Sequence, residues 1–152
     1  LEVGHKPEMI LAGRKINDNM SFDDIEKILE KISKKKIKVA KANVLIMGIT
    51  FKENCPDIRN TKVVDIVYKF KKQKMNVDVY DPWADKNAVI KEHDFELINQ
   101  PIKHKYDLIL LTVAHNEFKK MLFKHVKNFA KKNCVIYDLY HILNTNKVDG
   151  GL

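Results

Sequence analysis

Glycine is scarce in this chain. Gly4, Gly13, Gly48, Gly150 and Gly151 are the five in 152 residues. They form neither G-x-G-x-x-G nor G-x-x-x-x-G-K-[ST], the patterns whose bare backbone lets a pyrophosphate or a nucleoside triphosphate approach closely. A self-sufficient NAD domain and a P-loop NTPase are both excluded. Cysteine is scarcer still. Cys55 and Cys134 stand far apart, in no metal-ligand spacing. No disulfide framework is implied, so a reducing compartment, the cytoplasm, is expected. HExxH, GxSxG and paired-histidine zinc spacings are absent, so no metal is expected. No apolar run approaches the ~18 residues of a membrane helix, and Leu1-Glu2-Val3-Gly4-His5-Lys6 opens no leader-like apolar core. No internal repeat and no low-complexity stretch is present. The first residue is Leu1 rather than Met, from which we expect a fragment or processed piece of a longer protein.

Arginine is nearly missing as well. The formal charge is +8, yet of the 28 basic residues only Arg14 and Arg59 are arginines. The lysines cluster as Lys34-Lys35-Lys36, Lys71-Lys72, Lys119-Lys120 and Lys131-Lys132, which reads as solvated helix surface. Specific nucleic-acid readers favour the planar guanidinium fork, so no nucleic-acid partner is expected. Arg59 is conspicuous for the same reason.

What is present is an alternation of apolar runs and helical periodicities. Pro7 to Met20 reads as a helix. Ser21 follows as an N-cap, with Asp24 in the capping-box position and Phe22, Ile25, Ile28, Leu29 and Ile32 on one helical face. We place a boundary near Lys38, separating a helical segment (1–38) from a Rossmann-like domain (39–152). Strands are expected at 43–50, 77–80, 107–113 and 134–138, with a weak one at 95–98. Helices are expected at 61–74, 85–91 and 116–130. Strands alternating with helices, the strands apolar throughout, indicate an α/β fold: a parallel sheet with both faces covered.

In such sheets ligands bind at the carboxyl ends of the strands. Four polar groups collect there: Thr50 to Lys52, Asp81-Pro82-Trp83, Ala114-His115 and Asp138. The loop from Gly48 to Thr61 is the most informative, because Lys52 and Arg59 offer two cations to a phosphate-bearing ligand. His115 is either a general base or phosphate contact, or a cap for the helix starting at Asn116. Asp81 either accepts from a ribose or opens an Asp-Pro turn. Cys134 reads as core. Cys55 lies in the loop with no local base to activate it, so a loop or packing role is expected.

Phe51-Lys52, Asp57-Ile58-Arg59 and, about thirty residues on, Asp81-Pro82 resemble the C-terminal domain of the nucleotide-sugar 6-dehydrogenases, the UDP-glucose and GDP-mannose dehydrogenase family. Glu53-Asn54-Cys55-Pro56 and Val79-Tyr80-Asp81-Pro82-Trp83-Ala84 are most similar to the branch acting on UDP-N-acetylhexosamines for capsule or O-antigen synthesis. Pro7 to Met20 resembles the end of that family's central helical region. The resemblance implies a UDP-sugar partner gripped by Phe51 and Lys52, and a cofactor contact from Arg59. It implies NAD held mainly by another domain, and a homodimer formed through the N-terminal helices. The parent activity it implies is a two-step oxidation of a sugar CH₂OH to a uronic acid, reducing two NAD. The family's catalytic cysteine lies upstream of this region and Cys55 is not its counterpart, so no catalytic residue is expected here. A free-standing Rossmann-like binding or regulatory module is the alternative.

Overall fold

A computed structural model of the chain describes residues 22–143 and 146–151. The helix expected at 7–20, and Ser21, expected to cap the helix that follows it, lie outside the described residues. In chain order the elements are α1 (Phe22–Lys34), β1 (Asn43–Met47), α2 (Val63–Lys72), β2 (Asn76–Tyr80), α3 (Lys86–His93), β3 (Tyr106–Leu111), α4 (Asn116–Lys119), α5 (Phe123–Lys127) and β4 (Ala130–Asp138). The four strands form one parallel sheet in the order β2-β1-β3-β4. The expected α/β class and parallel Rossmann-like sheet are therefore present.

Both faces of the sheet are buried, which is why its strands are apolar without a polar alternation. Successive side chains point to opposite faces. Val44, Ile46, Leu108, Leu110, Val135 and Tyr137 pack with α1, α2 and α3. Leu45, Met47, Ile109, Leu111, Cys134 and Ile136 pack with Phe118 of α4 and Val126 of α5. The apolar face expected on α1 exists, and it is used within the chain: Ile25, Ile28 and Ile32 are buried in the first of these clusters, with α1 against β4.

Two expectations fail in instructive ways. The helix expected over 116–130 is two short helices. Leu122 is extended (φ −76°, ψ 150°) and exposed. The Nδ1 of His125 accepts from the Leu122 amide at 3.3 Å, so a side chain opens a new helix inside what reads as one period. The weak strand at 95–98 does not form. Ile98 N donates to Val79 O at 2.9 Å, one ladder bond beside β2, while Phe95 and Leu97 turn into the core.

β1 stops at Met47 because Gly48 turns the chain at φ +104°. A Cβ there would sit 2.6 Å from the Cβ of Val113, so the left-handed backbone and the close approach to the β3 exit both require glycine. The Gly48 amide reaches Tyr80 O at 2.8 Å. This turn carries the chain out of the sheet and into the loop singled out from the sequence. At the other edge, residues 149–150 run beside β4, with Asp138 N bonded to Gly150 O at 2.8 Å and Ile136 N to Asp149 Oδ2 at 2.8 Å.

Candidate functional site

The loops leaving β1, β2 and β3 meet at the carboxyl edge of the sheet around one carboxylate. Asp81 is fully buried in its side chain. Its Oδ2 accepts from Ile49 N at 2.7 Å, from Thr50 N at 3.2 Å and from His115 Nε2 at 3.0 Å. Its Oδ1 accepts from Trp83 N at 2.7 Å and Ala84 N at 3.0 Å. Burial pushes this carboxyl up. The hydrogen bonds from His115, Ile49 and Trp83 together outweigh that, and the group is held below its ordinary value as a carboxylate. Of the two readings open for Asp81, the turn is the one observed. The residue also fastens the β1 loop to the β2 loop.

The His115 side chain is buried to the same degree. Its Nδ1 accepts from Asn54 N at 2.9 Å, so that nitrogen carries no proton and Nε2 carries it, towards Asp81 and 3.2 Å from Thr50 Oγ1. Trp83 stacks over the imidazole (centroids 6.3 Å, 18°), and Phe118 meets it edge-on at 5.4 Å. A ring enclosed in this way is not placed to act on a ligand as a base. It stands at the N-cap position of α4, as one reading expected, but its side chain makes no capping bond. The cap comes from Asn54, whose Oδ1 accepts from Asn116 N at 2.9 Å. Asn54 tolerates the left-handed φ of 53° required there. Trp83 Nε1 donates to Glu117 Oε2 at 3.0 Å, and that hydrogen bond holds the Glu117 carboxyl below its ordinary value.

On this foundation stands the loop from Phe51 to Asn60. It closes on itself through Phe51 N to Asp57 O, 2.7 Å. Thr50 Oγ1 donates to Lys52 O at 2.9 Å. Phe51 is 40% exposed, and Lys52 is exposed with no ion pair among the described residues. Its charge helps to hold the Asp57 carboxyl low; an exposed lysine beside an exposed ring can receive an anionic or sugar ligand. Arg59 is differently placed. Its Nε and Nη2 form a two-point fork with Asp57 Oδ1 and Oδ2 at 3.0 and 3.1 Å. Asp57 is held down to about 2 by the side-chain and backbone hydrogen bonds of Arg59. The guanidinium stays oriented while its remaining N–H groups face outward. Cys55 is half-buried in this loop. Cys134 is core as expected, its thiol pushed up to about 12 by burial.

The same geometry decides whether NAD fits between these strand ends. Dinucleotide folds present free amides after the first strand to the pyrophosphate. Here the amides of Ile49 and Thr50 both donate to Asp81, a built-in anion. The residues of this edge do not fit a dinucleotide pyrophosphate. Among the described residues no group of His, Cys, Asp and Glu is arranged to hold a metal, and no helix is long and apolar enough to cross a membrane.

The network joining Thr50, Asn54, Asp81 and His115 was not legible as such. The only signal was that Thr50, Asp81 and His115 are polar residues at the exits of three apolar strands.

Comparison with known proteins agrees with the architecture. Residues 45–145 match the model of the UDP-glucose/GDP-mannose dehydrogenase family, UDP binding domain. A UDP-N-acetyl-D-glucosamine 6-dehydrogenase of Pseudomonas aeruginosa is 43% identical over 147 residues, covering 97% of this chain and 35% of that protein. Protein CapL of Staphylococcus aureus is 38% identical, again over 97% of this chain and 35% of its own length. The chain thus spans about a third of the curated relatives it matches. The crystal structure of an NDP-N-acetyl-D-galactosaminuronic acid dehydrogenase from Methanosarcina mazei superposes with a TM-score of 0.74 at 20% identity, over 99% of this chain and 32% of that one. That likeness concerns the fold. The motif at Phe51-Lys52, Asp57-x-Arg59 and Asp81-Pro82, the parallel sheet that carries it and the family match agree: the chain belongs to the UDP-glucose/GDP-mannose dehydrogenase family, of which it carries the UDP binding domain.

Proposed function

We propose that this domain grips the UDP end of a nucleotide sugar in an NAD-dependent 6-dehydrogenase, with Phe51 and Lys52 on the sugar nucleotide and Arg59 on the cofactor. The observation that carries the reading is the presentation of Lys52. It is an exposed cation, in no salt bridge among the described residues, on a loop fastened by hydrogen bonds of Thr50 and Asn54, inside the stretch matched to a UDP binding domain. The reaction is oxidation of a hexose CH₂OH to a carboxylate, with two NAD reduced. This domain contributes grip and no catalytic residue. NAD is held elsewhere, since Asp81 occupies the amides that a pyrophosphate would need. The similarity to the P. aeruginosa enzyme favours a UDP-N-acetylhexosamine substrate over UDP-glucose; a role in surface polysaccharide synthesis follows from the family resemblance, and a cytoplasmic setting from the two lone cysteines. Homodimerisation belongs to the same reading. The face of α1 formed by Ile25, Ile28 and Ile32 is engaged within the chain, so a dimer draws on other parts of the helical segment, and sedimentation of the intact protein tests it.

Calorimetric titration of the intact protein with UDP-N-acetylglucosamine, UDP-N-acetylgalactosamine, UDP-N-acetylmannosamine, UDP-glucose and GDP-mannose tests the substrate class. The expected result is binding of one or more UDP-N-acetylhexosamines, about tenfold or more tighter than GDP-mannose, a difference of about 1.4 kcal/mol. Equal binding of all five, or of none, contradicts the proposal.

A further inference from the structure

We infer that His115 is a positioning residue for Lys52: it fixes the backbone on the far side of Lys52 while Thr50 fixes the near side, so that the cation is presented to the nucleotide sugar in one geometry. The inference rests on the reading that Lys52 contacts the sugar nucleotide.

The imidazole touches the loop at both ends of the Lys52 turn. Nδ1 accepts from the Asn54 amide, 2.9 Å away, two residues beyond Lys52. Nε2 lies 3.2 Å from the hydroxyl of Thr50, two residues before it, and that hydroxyl itself donates to the Lys52 carbonyl at 2.9 Å. The same Nε2 lies 3.0 Å from Asp81, the carboxylate that also takes the Thr50 amide. Lys52 is thus the centre of a five-residue turn whose two flanks are hydrogen-bonded to one buried ring. The ring has little freedom of its own, being enclosed by Trp83 and Phe118. A long, flexible lysine on an untethered loop would have to be ordered by the ligand at an entropic cost. A loop ordered in advance avoids part of it. The asymmetric use of the two ring nitrogens, one accepting and one donating, means that a phenyl ring in place of the imidazole removes both tethers while keeping an aromatic, somewhat larger, ring in the enclosure.

A double-mutant cycle in the intact dehydrogenase tests this. Lys52→Ala, His115→Phe and their combination are compared in kcat/KM for the sugar nucleotide, with KM for NAD as the control. His115→Phe is expected to lower kcat/KM for the sugar nucleotide about tenfold, to leave KM for NAD within about twofold, and to add no more than about twofold in the Lys52→Ala background. Coupled residues show this kind of non-additivity. Thr50→Val, which cuts the other tether without touching the ring, is expected to couple to Lys52→Ala in the same way, and decides the matter if the His115 variant does not fold. Fully additive losses in both cycles, or equal losses for sugar nucleotide and NAD, would show a structural role only and overturn the positioning of Lys52. A Lys52→Ala variant with unchanged kcat/KM overturns the contact itself and the positioning with it.

Discussion

At the scale of single residues, the two cysteines and the two cations of the site loop differ through their surroundings. Burial pushes the Cys134 thiol up to about 12, where almost no thiolate exists near neutral pH. Cys55 is half-buried in a surface loop. Titration with a chromogenic disulfide at pH 8 should therefore modify one thiol per chain, Cys55, and reach Cys134 only after denaturant is added. Two fast thiols would contradict the packing of β4. Arg59 is tied to Asp57, whose carboxyl is held down to about 2. A carboxyl held low stabilises the folded state above its ordinary range and loses that contribution as pH falls towards 2. The orientation of Arg59 is therefore constant across the neutral range, and because the pair is exposed its effect on stability is small. Its proposed value is in recognition. Arg59→Lys in the intact enzyme should raise KM for NAD several-fold and leave KM for the sugar nucleotide unchanged, because an ammonium cannot reproduce a two-point fork. An unchanged KM for NAD would remove Arg59 from the cofactor.

At the scale of elements, Gly48 is where sequence, backbone and site meet. It ends β1, adopts φ +104° and lies against Val113. Gly48→Ala combines a left-handed conformation unfavourable by about 1–2 kcal/mol with an overpacked contact costing about 1–3 kcal/mol. A loss of at least about 2 kcal/mol in denaturant unfolding is expected; a loss under about 0.5 kcal/mol would mean that the β1 exit is not as tightly packed as the structure has it. Strands were the legible elements, since Val44 to Met47, Leu108 to Leu111 and Val135 to Ile136 are apolar in unbroken runs that only a doubly covered sheet accommodates. Helix ends were less so. The break between α4 and α5 depends on the His125 side chain bonding the Leu122 amide, and periodicity carries no sign of that choice. Residues 95–98 run beside the outer edge of β2 with Phe95 and Leu97 buried, yet only Ile98 N reaches a β2 carbonyl, that of Val79, so no strand forms.

At the scale of the whole molecule, the sheet edge collects residues that are remote in sequence. Asn54 and His115 are 61 positions apart, and Asp81 and His115 are 34 apart. No local pattern contains such a network: of the readings open for His115, the place at the start of α4 is observed, and the bonds to Asp81, Thr50 and Asn54 lie outside both. Phe51, Lys52 and Arg59 stand out in the sequence because they lie within one loop and carry a family resemblance, and their contacts with ligand are the proposal. The polar edge itself was legible from the ends of the strands. Physically, the sheet fixes where the loops begin, Asp81 and His115 hydrogen-bond them together, and Lys52 is left exposed. The account predicts that the domain does not turn over substrate unaided, because Asp81 occupies the amides a pyrophosphate would use. The chain alone with NAD and any UDP-sugar should produce no NADH above background. Steady formation of NADH would contradict that division of labour.

The most direct measurement is steady-state kinetics of the Lys52→Ala variant of the intact enzyme, beside its melting temperature. Loss of one charge-assisted contact should cost about 1.5–3 kcal/mol, so kcat/KM for the sugar nucleotide should fall about ten- to a hundredfold. The melting temperature should stay within about 1 °C, since Lys52 is exposed and forms no ion pair among the described residues. An unchanged kcat/KM for the sugar nucleotide, at an unchanged melting temperature, would contradict the claim that this loop grips the substrate.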